Sequence, residues 1–235
     1  MADSVLKLPR LQGKVIAIDG PAGAGKSTTA RRLASRLGYT YLDTGAMYRA
    51  LTWWALNNGI EPSDGAKLAD AARRIPIQLV PGEDGDRVLI DGHEVTREIR
   101  SPEITLNVSE VSAHKGVREA MVSLQRKLAR KGSIVAEGRD TTTVVFPNAD
   151  IKIYLEASVS ERAHRRLLDM AKMGVATTLK DQEDDIRRRD EYDSGRAHSP
   201  LTKARDALVI DTTNLTVEGQ VDRIIALIKS FLNRP

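Results

Sequence analysis

The stretch Gly20-Pro-Ala-Gly-Ala-Gly25-Lys26-Ser27 constrains the fold more tightly than any other part of the chain. It has the form G-x-x-x-x-G-K-[ST]. In such a loop, glycines free backbone N–H groups to turn inward on phosphate oxygens, and the helix that follows adds the positive end of its dipole. The loop works only between a buried strand and a helix, and both are written beside it. Lys14 to Asp19, KVIAID, is an apolar run suited to a parallel strand. Lys26 to Leu37 places Thr29, Leu33 and Leu37 on one helical face, and Gly38 ends that helix. Residues Gly20, Pro21, Ala22, Gly23, Ala24, Gly25, Lys26, Ser27 and Thr28 are therefore expected to hold a nucleoside triphosphate, with Lys26 at its β- and γ-phosphates and Ser27 on Mg²⁺.

Strand-like and helix-like runs alternate along the rest of the chain. A second helix is expected from Thr44 to Asn57, with Thr44 as its cap and Met47, Leu51, Trp54 and Ala55 sharing a face. Pro62, Pro76 and Pro81, the turn signal PGEDGD, and the runs IQLV, RVLI and DGHEV then point to a small antiparallel insert. Helical patterning returns at Pro102–Ala113 and Lys115–Lys131, and SIVAE and IKIYLEA read as buried strands. Residues Ser158 to Tyr192 are helical and rich in arginine, ALVID is a last strand, and Thr216 can cap the closing helix. This order predicts an α/β fold with a parallel sheet covered by helices on both faces.

Composition narrows the function. A chain of 235 residues that is 41% hydrophobic can build one substantial core, with room for a subdomain. Its net charge of +4 suits acidic ligands, and with no cysteine it has neither disulfide nor thiolate chemistry. The opening MADSVLKLPRLQGK lacks a long apolar run and no stretch of roughly 18 apolar residues follows, so a cytoplasmic protein without a membrane partner is expected. The four histidines show no paired ligand spacing. A phosphate loop serves GTPases, motor ATPases, helicases and small-molecule kinases alike. No Asn-Lys-x-Asp guanine-reading stretch is present, and the chain is short for a helicase core. An ATP-dependent regulatory or nucleic-acid-binding module remains the alternative from another class. Against a nucleic-acid partner, aromatic residues make up only 4% of the chain and the basic residues are dispersed over several motifs.

Those motifs suggest a second phosphorylated ligand. In LDTGAMYR, Thr44, Tyr48 and Arg49 fall in the first turns of a helix; in EGRD, Arg139 and Asp140 follow a strand at the carboxyl edge where α/β proteins bind ligands. In RRRDEYDSGRAHSP, Arg189, Asp193 and Arg196 stand beside a glycine.

With DGPAGAGKST, LDTGAMYR, VREA, EGRDTTTVVFPNADIKIYLEAS, ERAHRR and RRRDEYDSGR in this order, the chain resembles the bacterial cytidylate kinases over nearly its full length. The resemblance implies one kinase domain with a core of residues 14–61 and 106–235, an arginine-rich lid near 174–200, and a small β-rich insert at 62–105 in the monophosphate-binding region. It implies transfer of the γ-phosphoryl group of ATP to CMP or dCMP, with Mg²⁺, by a monomer. The CMP phosphate would meet Tyr48, Arg49 and Arg139; the cytosine, Thr44, Arg118, Asp140 and Arg196; the sugar, Ser109, Arg189 and Asp193. Asp140 and the Thr44 hydroxyl would accept from the exocyclic amine. Lys26, with Arg162, Arg189 and Arg196 from the lid, would neutralise the transferring group. Two positions depart from the family pattern. Thr44 stands where some members have serine, and Glu137, whose carboxylate would lie near the Mg²⁺ water shell, stands where many have aspartate. A kinase for another small acceptor, such as uridylate, is the alternative within this class.

Overall fold

A computed structural model describes residues 5–6, 8–80, 82 and 86–232. Pro81 and Glu83 to Gly85 of the PGEDGD turn signal, and residues 1–4 and 7 of the opening stretch, lie outside the described residues. In chain order the elements are β1 (Val15–Asp19), α1 (Lys26–Leu37), β2 (Thr40–Asp43), α2 (Thr44–Asn57), α3 (Gly65–Arg74), β3 (Ile77–Val80), β4 (Arg87–Ile90) and β5 (His93–Glu94). They continue as α4 (Pro102–Val111), α5 (Lys115–Leu128), β6 (Ile134–Gly138), β7 (Ile151–Glu156), α6 (Val159–Lys172), α7 (Leu179–Ser194), β8 (Leu208–Asp211) and α8 (Val217–Leu232). Contacts divide the chain into two compact units, Met1–Tyr41 with Lys131–Pro235, and Leu42–Arg130.

The first unit is built on a five-stranded sheet in the order β2-β6-β1-β7-β8. β1 pairs in parallel with β6, from Val15 opposite Ile134 to Asp19 opposite Gly138, and with β7; β7 pairs in parallel with β8. A central strand is covered on both faces and must be apolar throughout, and β6 is buried at all five positions. The core forms where Leu33 and Leu37 of α1 and Val221, Ile224 and Ile228 of α8 meet Ile16, Ile18, Val135 and Ile153 of the sheet. Each such side chain contributes about 1.5–3 kcal/mol by leaving water. The polar exceptions on β1 and β6 are Asp19 and Glu137, buried near their carboxyl ends, where a parallel sheet presents ligand-binding groups.

The second unit spans more of the chain than residues 62–105. It holds the antiparallel sheet expected there, in the order β3-β4-β5. Asp91 and Gly92, both with positive φ, make the two-residue turn between the paired Ile90 and His93. The unit also holds α3, a helix not expected from the sequence, which packs on α5 and α2. Asp64 caps it by accepting from Lys67 N at 3.1 Å, and its buried face is Leu68, Ala69, Ala71 and Ala72. The cap of α2 also differs from expectation. Thr44 is the first helical residue, and Asp43 accepts from Ala46 N at 2.8 Å. The carboxylate, one residue earlier, reaches the free N–H groups and complements the helix dipole as a hydroxyl does not.

Candidate active site

The phosphate loop is fixed from behind, which leaves its inner face to the ligand. At Gly20, a Cβ would stand 2.1 Å from the Leu155 carbonyl oxygen of β7, so only glycine lets the chain leave β1 here. At Gly23, with φ 76°, a Cβ would stand 2.9 Å from Arg162 Cβ. The carbonyls that face away from the cradle have partners. Arg162 Nη1 donates to Ala22 O at 3.0 Å and to Asp190 Oδ2 at 2.6 Å, and its Nε donates to Ala157 O at 3.0 Å. The Thr212 hydroxyl lies 3.1 Å from Ala24 O, while Arg165 Nη2 donates to Thr212 O at 2.6 Å. Gln220, buried on α8, accepts from Thr29 Oγ1 at 2.5 Å. Arg162 thus lies buried beside the loop and ties it to α7 through Asp190.

Lys26 is buried, and its Nζ donates to Pro21 O of its own loop at 2.8 Å. Burial, and then the nearby Arg139 guanidinium, lower its pKa to about 7, with Glu137 opposing them. An ammonium so destabilised gains most when anionic oxygens replace the carbonyl. Ser27 Oγ donates to Glu137 Oε1 at 2.7 Å, and Tyr41 OH reaches the same oxygen at 3.3 Å. A hydroxyl and a carboxylate at the end of a phosphate loop are hard oxygen donors of the kind Mg²⁺ takes, one or two per ion, when substrate phosphates and water complete its shell. Among the described residues, no group of three or more acidic or histidine side chains is placed to hold a metal by itself.

A second constellation in the same unit gathers arginines around one carboxylate. Arg139 Nε stands 2.8 Å from Asp193 Oδ2, Arg196 Nη2 stands 2.5 Å from Oδ1, and Arg189 Nε stands 4.0 Å from Oδ2. Burial pushes the Asp193 carboxyl up, but Arg139, Arg196 and Arg189 together outweigh it and hold the group below the usual carboxylate range. Asp193 thus gathers three guanidiniums, and the Glu137 and Asp190 carboxylates also act on Arg139. Asp140, buried, follows Arg139 directly and opens a π-helical turn at Thr141–Val145. Asp19, at the end of β1, pins that turn. It accepts from the N–H groups of Thr141 at 2.9 Å and Thr142 at 2.7 Å, and from the hydroxyls of both.

In the second unit, Thr44, Tyr48 and Arg49 stand in the first turns of α2. Asp43 Oδ2 accepts from Arg49 Nη2 at 2.9 Å. The buried Arg118 of α5 places its guanidinium 5.2 Å from the centre of the Tyr48 ring and donates to Ser112 O at 2.9 Å. The Ser112 hydroxyl in turn donates to Ser109 O at 3.2 Å, which puts Ser109, Arg118 and Tyr48 in one local network.

Each unit therefore brings together the residues the sequence singled out within it. Sequence reasoning passed over Asp19, Arg165, Thr212 and Gln220. Asp19 had a legible signal, since an acidic residue closing an apolar strand must find donors. Thr212 and Gln220 lie about 190 residues from the loop groups they serve and had none. Among the described residues, no helix is long and apolar enough to cross a membrane.

Comparison with known proteins agrees with this geometry. The family model described as cytidylate kinase matches residues 16–230. A cytidylate kinase of Limosilactobacillus reuteri is 49% identical over 219 residues, covering 93% of this chain and 96% of the relative, and one from Exiguobacterium sp. is 49% identical over 214 residues, covering 91% and 96%. A bifunctional pantoate ligase/cytidylate kinase of Gloeobacter violaceus is 50% identical over 220 residues, of which this chain spans only 42%. Among solved structures, an uncharacterized protein from Eubacterium ventriosum shares the fold, with a TM-score of 0.50 at 15% identity over 92% of this chain and 99% of the other. Loop, sheet and sequence agree: the chain belongs to the cytidylate kinase family.

Proposed function

We propose that the protein transfers the γ-phosphoryl group of ATP to CMP or dCMP, giving ADP and CDP or dCDP. The observation that carries this reading is the convergence of Arg139, Arg189 and Arg196 on Asp193, in the unit that also bears the Lys26 loop. One anion site holds a donor; two allow transfer.

The chemistry needs no dedicated base. A phosphate monoester has a second pKa of about 6, so at pH 7 the attacking oxygen of the acceptor is already largely ionised. The protein has to align the two phosphates and neutralise a metaphosphate-like transition state. Lys26 leaves Pro21 O for the β- and γ-phosphates, and the loop N–H groups hold the remaining oxygens. Mg²⁺, when bound to ATP, draws charge from the β- and γ-oxygens; Ser27 would hold it and Glu137 would orient its water.

Tyr48, Arg49 and Arg139 take the acceptor phosphate, and Thr44, Arg118, Asp140 and Arg196 the cytosine. Ser109, Arg189 and Asp193 take the sugar. Asp193 can accept from a sugar hydroxyl while holding its arginines, because each carboxylate oxygen has two lone pairs. Residues 174–200, with Arg189 and Arg196, act as the lid that excludes water as a competing acceptor. We place the reaction in the cytoplasm and assign it to a single chain, since all residues invoked are its own. The test is product analysis with ATP, Mg²⁺ and CMP. CDP and ADP should appear in equal amounts, whereas ADP without CDP would leave a nucleotide hydrolase.

A further inference from the structure

We infer that Asp19 is a positioning residue for the choice of acceptor base: its carboxylate holds the turn that orients Asp140, and so helps set the preference for cytosine over uracil. This rests on the function proposed above, in which Asp140 reads the base.

The geometry is specific. Asp19 is fully buried and accepts from two consecutive residues, Thr141 and Thr142, through backbone N–H and hydroxyl of each. Those residues begin a π-helical turn whose other end returns to Asp140. Val144 N and Val145 N donate to the Asp140 carbonyl at 2.8 and 3.1 Å, and Phe146 N donates to Thr141 O at 2.8 Å. On its other side Asp140 is continuous with β6, whose last residue, Gly138, lies opposite Asp19 itself. Asp140 is thus held before and after by groups that converge on Asp19. The run Thr-Thr-Thr-Val-Val is β-branched throughout and favours extended backbone. A carboxylate at its amino end, satisfying the free N–H groups, is what a helical turn needs in order to form there.

Asp19 also directly precedes Gly20, the first residue of the phosphate loop. One carboxylate therefore ties the start of the donor loop to the turn bearing the acceptor-reading group. A general structural role would make Asp19 matter equally for every substrate; positioning of Asp140 makes it matter for the base.

The test compares kcat/KM for CMP and UMP, together with the KM for ATP and the melting temperature, in wild type, Asp140→Asn, Asp19→Asn, Thr142→Val and Thr142→Ser. The amide of Asp19→Asn turns a donor toward one of the threonines, and Thr142→Val removes one hydroxyl without changing shape. Both are expected to narrow the CMP-to-UMP ratio, by about tenfold and about threefold, and Thr142→Val should leave the KM for ATP within about twofold of wild type. Thr142→Ser, which keeps the hydroxyl, should restore the wild-type ratio. If Asp19→Asn does not fold, Thr142→Val against Thr142→Ser decides. A ratio that moves in Asp140→Asn but stays fixed in Thr142→Val and in any folded Asp19→Asn overturns the role of Asp19 alone. A ratio unmoved in Asp140→Asn overturns the reading of Asp140 as well.

Discussion

Ser27 Oγ donates to Glu137 Oε1 across 2.7 Å, which joins the last residue of the phosphate loop to the carboxylate near the end of β6. The glutamate side chain carries its carboxylate up to the serine. If Glu137 orients the metal's water, Glu137→Gln should raise the Mg²⁺ concentration for half-maximal rate about tenfold or more, since groups supporting metal ligands commonly contribute 10- to 100-fold to affinity. Titration of activity with Mg²⁺ at saturating ATP measures it, and an unchanged midpoint would remove Glu137 from the metal site.

Lys26 makes two expectations. Lys26→Ala should remain folded and lose at least about a thousandfold in kcat, because a charge contact at the transferring group is commonly worth several kcal/mol. In the free protein the amine titrates at about 7, lowered first by burial and then by Arg139. Bound phosphates favour its charged form, so its pKa rises on binding. Between those two values ATP takes up a proton with it, and affinity falls as pH rises above 7. Calorimetry at pH 8 in buffers of different ionisation enthalpy should report an uptake approaching about one proton per ATP. Lys26→Ala should abolish the uptake.

Asp193 is the buried counter-ion of Arg139, Arg189 and Arg196, and removing its charge takes a shared partner from all three guanidiniums. Asp193→Asn should cost about 3–5 kcal/mol of stability. Because the folded-state pKa is depressed, that contribution is present above the usual carboxylate range and is lost as pH falls through the depressed value. Melting temperatures of wild type and variant should therefore differ by a constant amount from about pH 5 to 8 and converge only in stronger acid. A gap that closes near neutrality would assign the effect to another group.

Arg196→Ala tests the lid separately, since it keeps the carboxylate. It should lower kcat with CMP by about a hundredfold. A change confined to the KM for ATP would place Arg196 with the donor.

Much of this was legible in the sequence where the cause is local. The limits of α1 follow from Gly25 and Gly38, both of which take positive φ at its ends, and β6 and β7 follow from short apolar runs. The α2 cap was misplaced by one residue because Asp43 and Thr44 are both capping types, and only three-dimensional reach distinguishes them. Helix α3 escaped because its buried face is mostly alanine, a weak apolar signal, between prolines that mark turns. The phosphate-loop residues were read from their spacing. The groups that brace the loop, Arg165, Thr212 and Gln220, come from α6, β8's end and α8, and their pairing depends on sheet order, which no local pattern encodes.

Acceptor choice by Asp140 is read from kcat/KM for CMP, dCMP, UMP and AMP with ATP and Mg²⁺. Cytosine offers an amine donor to Asp140 where uracil offers a carbonyl acceptor, and an unpaired buried acceptor costs about 1–3 kcal/mol. CMP should exceed UMP by at least about tenfold, with dCMP accepted. Equal use of CMP and UMP, or a preference for AMP, would mean that Asp140 does not select cytosine.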